Sequence, residues 1–297
     1  MIRTSLYPYT FAYDGEYSHR KGIITGVSFE GSFTNSSSFT NVETVYSDKT
    51  NGEKIPYFNK YSEFASITLN FVKEDYSAFE RNEVRSILRW LGGRKRNKWL
   101  ALYDMDGMEL ANYFGSFVDI QEYIGDSRVL GFTCTFECTS PNAYSPLRDV
   151  TQIATGTSTI VLANDSDVLD EYVWPYLEFS AKGTDIPELI IDNETTDEVL
   201  HIKNIKADET ITLDNANKLV YSNHELRMMK DDFYGELQGY KTDYPVFLRL
   251  VPGDNQITFR VGHNEESNGV TEFKDDQSIQ YSYQIKYRYP LKLGSAY

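Results

Sequence analysis

The chain has 297 residues, 40% hydrophobic and 14% aromatic with 23 Tyr and 17 Phe, enough to bury a sizeable core and long enough to favour two domains. Its formal net charge of −15 repels nucleic acid and anionic membrane surfaces, so adhesion to either is excluded as a first reading. No run approaches the roughly 20 apolar residues that span a bilayer, and MIRTSLYPYTFAYDGEYS has no apolar core after Arg3, so an unexported protein made in the cytoplasm is expected.

The abundance of rings points to strands. From the start, TFAYDGEYS and GIITGVSFEGSFTNSSSFTNVETVYSDKTNGEKIPYF give short β-branched and aromatic runs broken at Asp14-Gly15 and Asn51-Gly52, which predict antiparallel hairpins. In SEFASITLNFVKED, Phe64, Ser66, Thr68 and Asn70 alternate with Ala65, Ile67, Leu69 and Phe71, the pattern of a half-buried strand. The period then changes. In AFERNEVRSILRWL the apolar Val84, Ile87, Leu88 and Leu91 recur at three and four while Glu80, Arg81, Glu83, Arg85 and Arg89 take other positions, which predicts one helix ending at Gly92-Gly93.

Cations gather at the end of that helix: Arg94, Lys95, Arg96 and Lys98, after Arg85 and Arg89. They complement the partial negative charge of a helix C-terminus, about 0.3–1 kcal/mol each, and in an otherwise acidic chain Arg94, Lys95 and Arg96 are candidates for a subunit contact. A strand, KWLALYD, follows, and DMDG turns into MELANYFGSFVDIQEYIG. Asp104, Asp106 and Gly107 match part of a calcium loop, but the remaining ligand positions are missing, so a hairpin turn is expected. In GFTCTFECTS, Phe132, Cys134, Phe136 and Cys138 alternate with polar residues. Four residues of strand span about 13 Å, beyond the roughly 7 Å that a disulfide tolerates, so both cysteines read as buried thiols. The four His show no ligand spacing, and neither a metal nor a cofactor site is predicted.

Two prolines and then small polar residues in PNAYSPLRDVTQIATGTST mark a boundary around residues 145–155, giving domains 1–148 and 149–297. The charge changes there too: 19 acidic and 16 basic residues lie up to residue 150, and 25 acidic against 13 basic beyond it. Short strands separated by Asn, Asp and Gly turns predict a β-sandwich or jelly roll in the second half, with Trp174-Pro175 opening the strand YLEFS. The stretch HELRMMKDDFYGELQGYKTDY fits neither period and is expected to be a long connection. No Gly-x-Ser-x-Gly, His-Glu-x-x-His or glycine-rich phosphate loop appears, so no catalytic residue is assigned and the chain is not expected to be an enzyme. Trp174 and the many tyrosines allow an alternative, a carbohydrate-binding module.

A β-rich first half with one helix, the run RNEVRSILRWLGGRKRNKWLALYD with Trp90, Trp99, Tyr103 and Asp104, the strand VLGFTCTFECTSPNAYS and the tail YSYQIKYRYPLKLG resemble the distal tail protein of siphovirus-type bacteriophages over nearly the whole chain. LANDSDVLDEYVWPYLEFSAKG, LIIDNETTDEVLHIKNI, ETITLDNANKLVYSN and VFLRLVPGDNQITFRV, with a turn at Pro252 to Asn255 entering a late strand, are similar to the family's outer galectin-like jelly roll. The resemblance implies a mostly β virion structural protein of the phage tail tip: a sandwich or barrel-like ring domain with one helix, then a jelly roll. It also implies a homo-hexameric ring, single or stacked back to back, joining the tail tube protein to a tail-associated tip protein and to a receptor-binding protein. DNA would pass through this baseplate hub without being bound, no membrane would be contacted, and siphovirus, contractile-tail and bacteriocin hubs would share the plan.

Overall fold

A computed structural model describes residues 8–25, 42–48, 54–61, 66–140, 142–224, 232–267 and 270–291. The chain separates into two compact units, Met1–Pro146 with Leu291–Tyr297, and Leu147–Pro290.

The first unit contains β1 (Thr10–Tyr13), β2 (Glu16–Tyr17), β3 (Ile23–Thr25), β4 (Val42–Asp48), β5 (Lys54–Tyr61), β6 (Ser66–Lys73), α1 (Arg81–Gly92), β7 (Lys98–Tyr103), β8 (Glu109–Gly125), β9 (Arg128–Cys138) and β10 (Ala143–Tyr144). Asp14 and Gly15 sit at φ 52° and 77°, so the predicted Asp-Gly turn is made, and it folds β2 back on β1. Asn51-Gly52 lies outside the described residues, between β4 and β5, which pair with each other. The main sheet runs β2-β1-β7-β8-β9-β6-β3. The Thr25 amide donates to the Tyr9 carbonyl at 2.8 Å and its hydroxyl to the Pro8 carbonyl at 2.8 Å, so the far strand curls back towards β1 and the sheet becomes barrel-like.

Its core is aromatic. Alternation along β6 and β9 places Leu69 opposite Cys134 and Phe71 opposite Phe132, and Phe11, Tyr13, Phe71, Phe132 and Phe136 are fully buried. The two cysteines are free and buried, as the strand spacing requires. α1 lays Ile87, Trp90 and Leu91 on this core; the Trp90 ring stacks on Phe11 at 5.3 Å between centroids and its indole N–H donates to the Tyr13 carbonyl at 3.1 Å.

β8 has 17 residues, about three times an ordinary strand. It outruns the core: Val118 and Ile124 are 53% and 61% exposed, and register shifts at Phe117/Asp119 and Tyr123/Ile124 bend the β8–β9 hairpin where it leaves the body.

The second unit contains β11 (Arg148–Thr155), β12 (Ser158–Asn164), β13 (Tyr176–Ala181), β14 (Ile186–Asn193), β15 (Glu198–Ile205), β16 (Thr210–Asp214), β17 (Leu219–Ser222), β18 (Phe233–Leu237), β19 (Tyr240–Thr242), β20 (Gly253–Ser267), β21 (Val270–Asp275) and β22 (Gln280–Tyr287). These form a sandwich of one sheet ordered β11-β22-β13-β16-β17 and another ordered β12-β20-β14-β15-β18-β19, with β21 on β20. Phe259 of β20 stacks on Tyr283 of β22 at 4.2 Å, joining the two inner faces. A final short strand, β23 (Pro290–Leu291), pairs with β10, and Leu291 packs against the core of the first unit.

Two expectations need correction. Part of the supposed long connection is a hairpin: Phe233 to Leu237 pairs with β15 and then with β19. Its alternation is masked because the inward position between Phe233 and Leu237 is Gly235, where any Cβ would strike Val246. The turn expected at Pro252 to Asn255 is tighter than its sequence suggests, because Gly253 already begins β20 and pairs with Asn164. Asn255, fully buried, holds that corner by accepting from the Val251 amide at 2.9 Å and donating to the Val251 and Gly253 carbonyls at 2.8 and 3.0 Å.

Candidate assembly surface

The helix is fixed at both ends. Glu80 caps it reciprocally with Glu83, whose carboxylate accepts from the Glu80 amide at 2.7 Å and also pairs with Lys73 at 2.7 Å. Gly93 ends it through a 3.1 Å bond from its amide to the Arg89 carbonyl, an approach so close that any side chain on Gly93 would collide with that oxygen.

The cations after the helix divide into two groups. Arg94 pairs with Asp14 at 3.2 Å and Glu16 at 3.0 Å, Lys98 with Asp14 at 3.0 Å and Lys21 with Glu16 at 3.1 Å. The Asp-Gly hairpin thus supplies two carboxylates that gather three cations. Lys95 and Arg96 are exposed and make no ion pair among the described residues. The three candidates are neighbours in sequence, yet the fold gives Arg94 a different setting from Lys95 and Arg96.

Sequence reasoning undervalued a second cationic face. Arg81, Arg85 and Arg89 recur every four residues along the exposed side of α1, and Arg128 stands beyond the tip of the β8–β9 hairpin; none has an anionic partner among the described residues. The i, i+4 spacing was the available signal for the helical three. Arg128 gave none, because only the hairpin brings it to the helix. Between helix and hairpin lies an open groove of about 740 Å³, floored by Phe79, Val84, Leu88 and Val129 and rimmed by Arg81, Arg85 and Arg128, with Glu80 and Glu122.

The second unit has two polar clusters of its own. Lys218 sits 2.8 Å above the Trp174 ring and Arg249 lies 4.2 Å over Tyr172 while pairing with Glu198 at 2.8 Å. Burial, reinforced by Arg249 and opposed by Glu198, holds the Lys218 amine down at about 8. The Trp174 face is therefore occupied by the protein's own ammonium group. Deeper, Glu188 accepts from His201 at 2.8 Å, from the Tyr234 hydroxyl and from Asn264, while His201 stacks on Tyr234 at 4.2 Å. Burial pushes the Glu188 carboxyl up, but the hydrogen bonds from His201 and Tyr234 outweigh it and leave the group below its ordinary range. Among the described residues no group of three or more His, Cys, Asp and Glu is placed to hold a metal ion, and no helix is long and apolar enough to cross a membrane.

Comparison with known proteins points to one source. The crystal structure of the SPP1 Dit protein, described as a paradigm of the hub adsorption apparatus in phages infecting Gram-positive hosts, aligns with 95% of this chain and 100% of its own at a TM-score of 0.54 and 13% identity; the likeness is one of fold. The phage P2 baseplate in its activated conformation aligns over 94% of this chain and 97% of its own at a TM-score of 0.47 and 8% identity. No curated protein sequence matches. Two family models match, one describing a phage tail protein N-terminal domain over residues 7–140 and the other a phage tail C-terminal domain over residues 143–265. The chain belongs to the phage tail protein family whose two domains these models describe, and it carries the distal tail fold.

Proposed function

We propose that the protein is a structural, non-catalytic hub of the phage tail tip, built into the virion after synthesis in the host cytoplasm. In this reading six copies close into a ring through their first units, single or stacked back to back, between the tail tube protein and a tail-associated tip protein. The galectin-like second units, carrying most of the negative charge, offer attachment for a receptor-binding protein, and DNA passes through the ring without being held. The observation that carries this reading is the exposed guanidinium face of α1, with no internal anion among the described residues, in a chain of net charge −15. Closed rings need two different complementary patches on each subunit, and unpaired cations on an acidic protein supply one.

The domain division 1–148 and 149–297 is proposed as the working boundary between hub and periphery, and Arg94, Lys95 and Arg96 as contributors to the subunit contact. Arg94 already serves Asp14 and Glu16, so Lys95→Glu/Arg96→Glu is the cleaner variant. Native mass spectrometry with negative-stain imaging tests the reading: the wild type is expected as closed rings, and the double variant as smaller species. A wild type that stays single at high concentration, alone and with a tail neighbour, would remove it. The glycan-binding alternative is less favoured because Lys218 caps Trp174.

A further inference from the structure

The groove beside α1 has an apolar floor and a cationic rim, and at the opposite end of the same long strand the first unit presents a turn of matching chemistry. Met105 and Met108 are 67% and 60% exposed and flank Asp106, exposed and without an ion pair among the described residues. This turn is stiff. The buried Asp104 side chain accepts from the Asp106 and Met108 amides at 2.9 and 2.7 Å, and the Asp104 amide donates to the Met108 carbonyl at 3.0 Å. Turn and groove are thus held apart by the length of β8, Glu109–Gly125, about 50 Å at the rise of an extended chain.

We propose that the groove between α1 and the β8–β9 hairpin receives the Met105–Met108 turn of a second copy of this chain. The thioethers enter over Phe79, Val84, Leu88 and Val129, where unbranched, polarizable side chains adapt to an irregular apolar floor. The Asp106 carboxylate meets the guanidiniums of Arg81 and Arg85. The turn is ordered before it docks, so little conformational freedom is lost on binding. Because the two patches differ and sit at opposite ends of one strand, the contact is head-to-tail, the type that generates rings. This rests on the ring reading above and names the surfaces that would close the ring.

Cysteine trapping tests it directly. Leu88→Cys protein mixed with Met105→Cys protein under mild oxidation should give a disulfide-linked dimer that neither forms alone, and the double variant should give a covalent ladder. Arg85→Cys replaces Leu88→Cys if the latter folds poorly. The native thiols at Cys134 and Cys138 are buried and do not compete. In parallel, Met105→Glu/Met108→Glu should weaken self-association about tenfold or more. Rings in the wild type with no trapped dimer, and unchanged stoichiometry in the Met variant, would overturn this contact and leave the ring reading standing. A wild type that never associates would overturn the ring reading, and failure of the cysteine pair to couple would then remove the contact too.

Discussion

Trp90 ties three parts of the first unit together: its ring covers Phe11, its N–H reaches the Tyr13 carbonyl and Lys21 lies 5.0 Å over it. Trp90→Ala should therefore cost about 3–5 kcal/mol, read as a lower urea midpoint; a loss below about 1 kcal/mol would contradict the packing. The cysteines give a second check. Burial pushes the Cys138 thiol up to about 12 and Cys134, pressed further by Asp119, higher still, so neither has thiolate character at neutral pH. Iodoacetamide at pH 8 should leave both unmodified in the folded chain and alkylate both in denaturant; labelling of the native protein would refute the burial. Glu188 predicts a pH dependence. Its folded value lies below the unfolded one, so its contribution is full above the unfolded carboxylate range of about 4.3 and is lost as pH falls through the folded value. Glu188→Gln should therefore be less stable than wild type at pH 7, the gap narrowing below about pH 4.3; a gap constant with pH would count against it.

At the scale of elements, α1 depends on its cap. Glu83→Ala removes the reciprocal bond to the Glu80 amide and the pair with Lys73; a loss of about 0.5–2 kcal/mol is expected, with faster amide exchange confined to the first helical turn. Uniformly unchanged exchange would show that the cap is dispensable. This helix was legible because Val84, Ile87, Leu88 and Leu91 keep a 3.6-residue period, and the β1–β2 turn because Asp-Gly accepts two positive φ angles. β18 was not legible, since the packing needs a glycine where the alternation needs an apolar side chain. The partnership of Arg94 with Asp14 and Glu16 was equally hidden: about 80 residues separate them, and local pattern carries no information about which distant carboxylates a strand order delivers. The groove escaped for the same reason, since half of it is helix and half is hairpin.

For the whole molecule, charge sets the relation to DNA. With the net charge at −15 and screening acting over about 8 Å at physiological salt, the protein should show no appreciable binding to duplex DNA in an anisotropy titration; firm binding would argue that the α1 guanidiniums face nucleic acid. One further consequence lies in the path of the chain. Leu291 packs against the core of the first unit, yet the ribosome reaches it only after translating all of the second, which at about 5–20 residues per second delays it by roughly 7–30 seconds. A nascent chain therefore holds its first unit without the Leu291 contact until that residue has been made. The order of synthesis therefore places this contact last, after every strand of the second unit has left the ribosome.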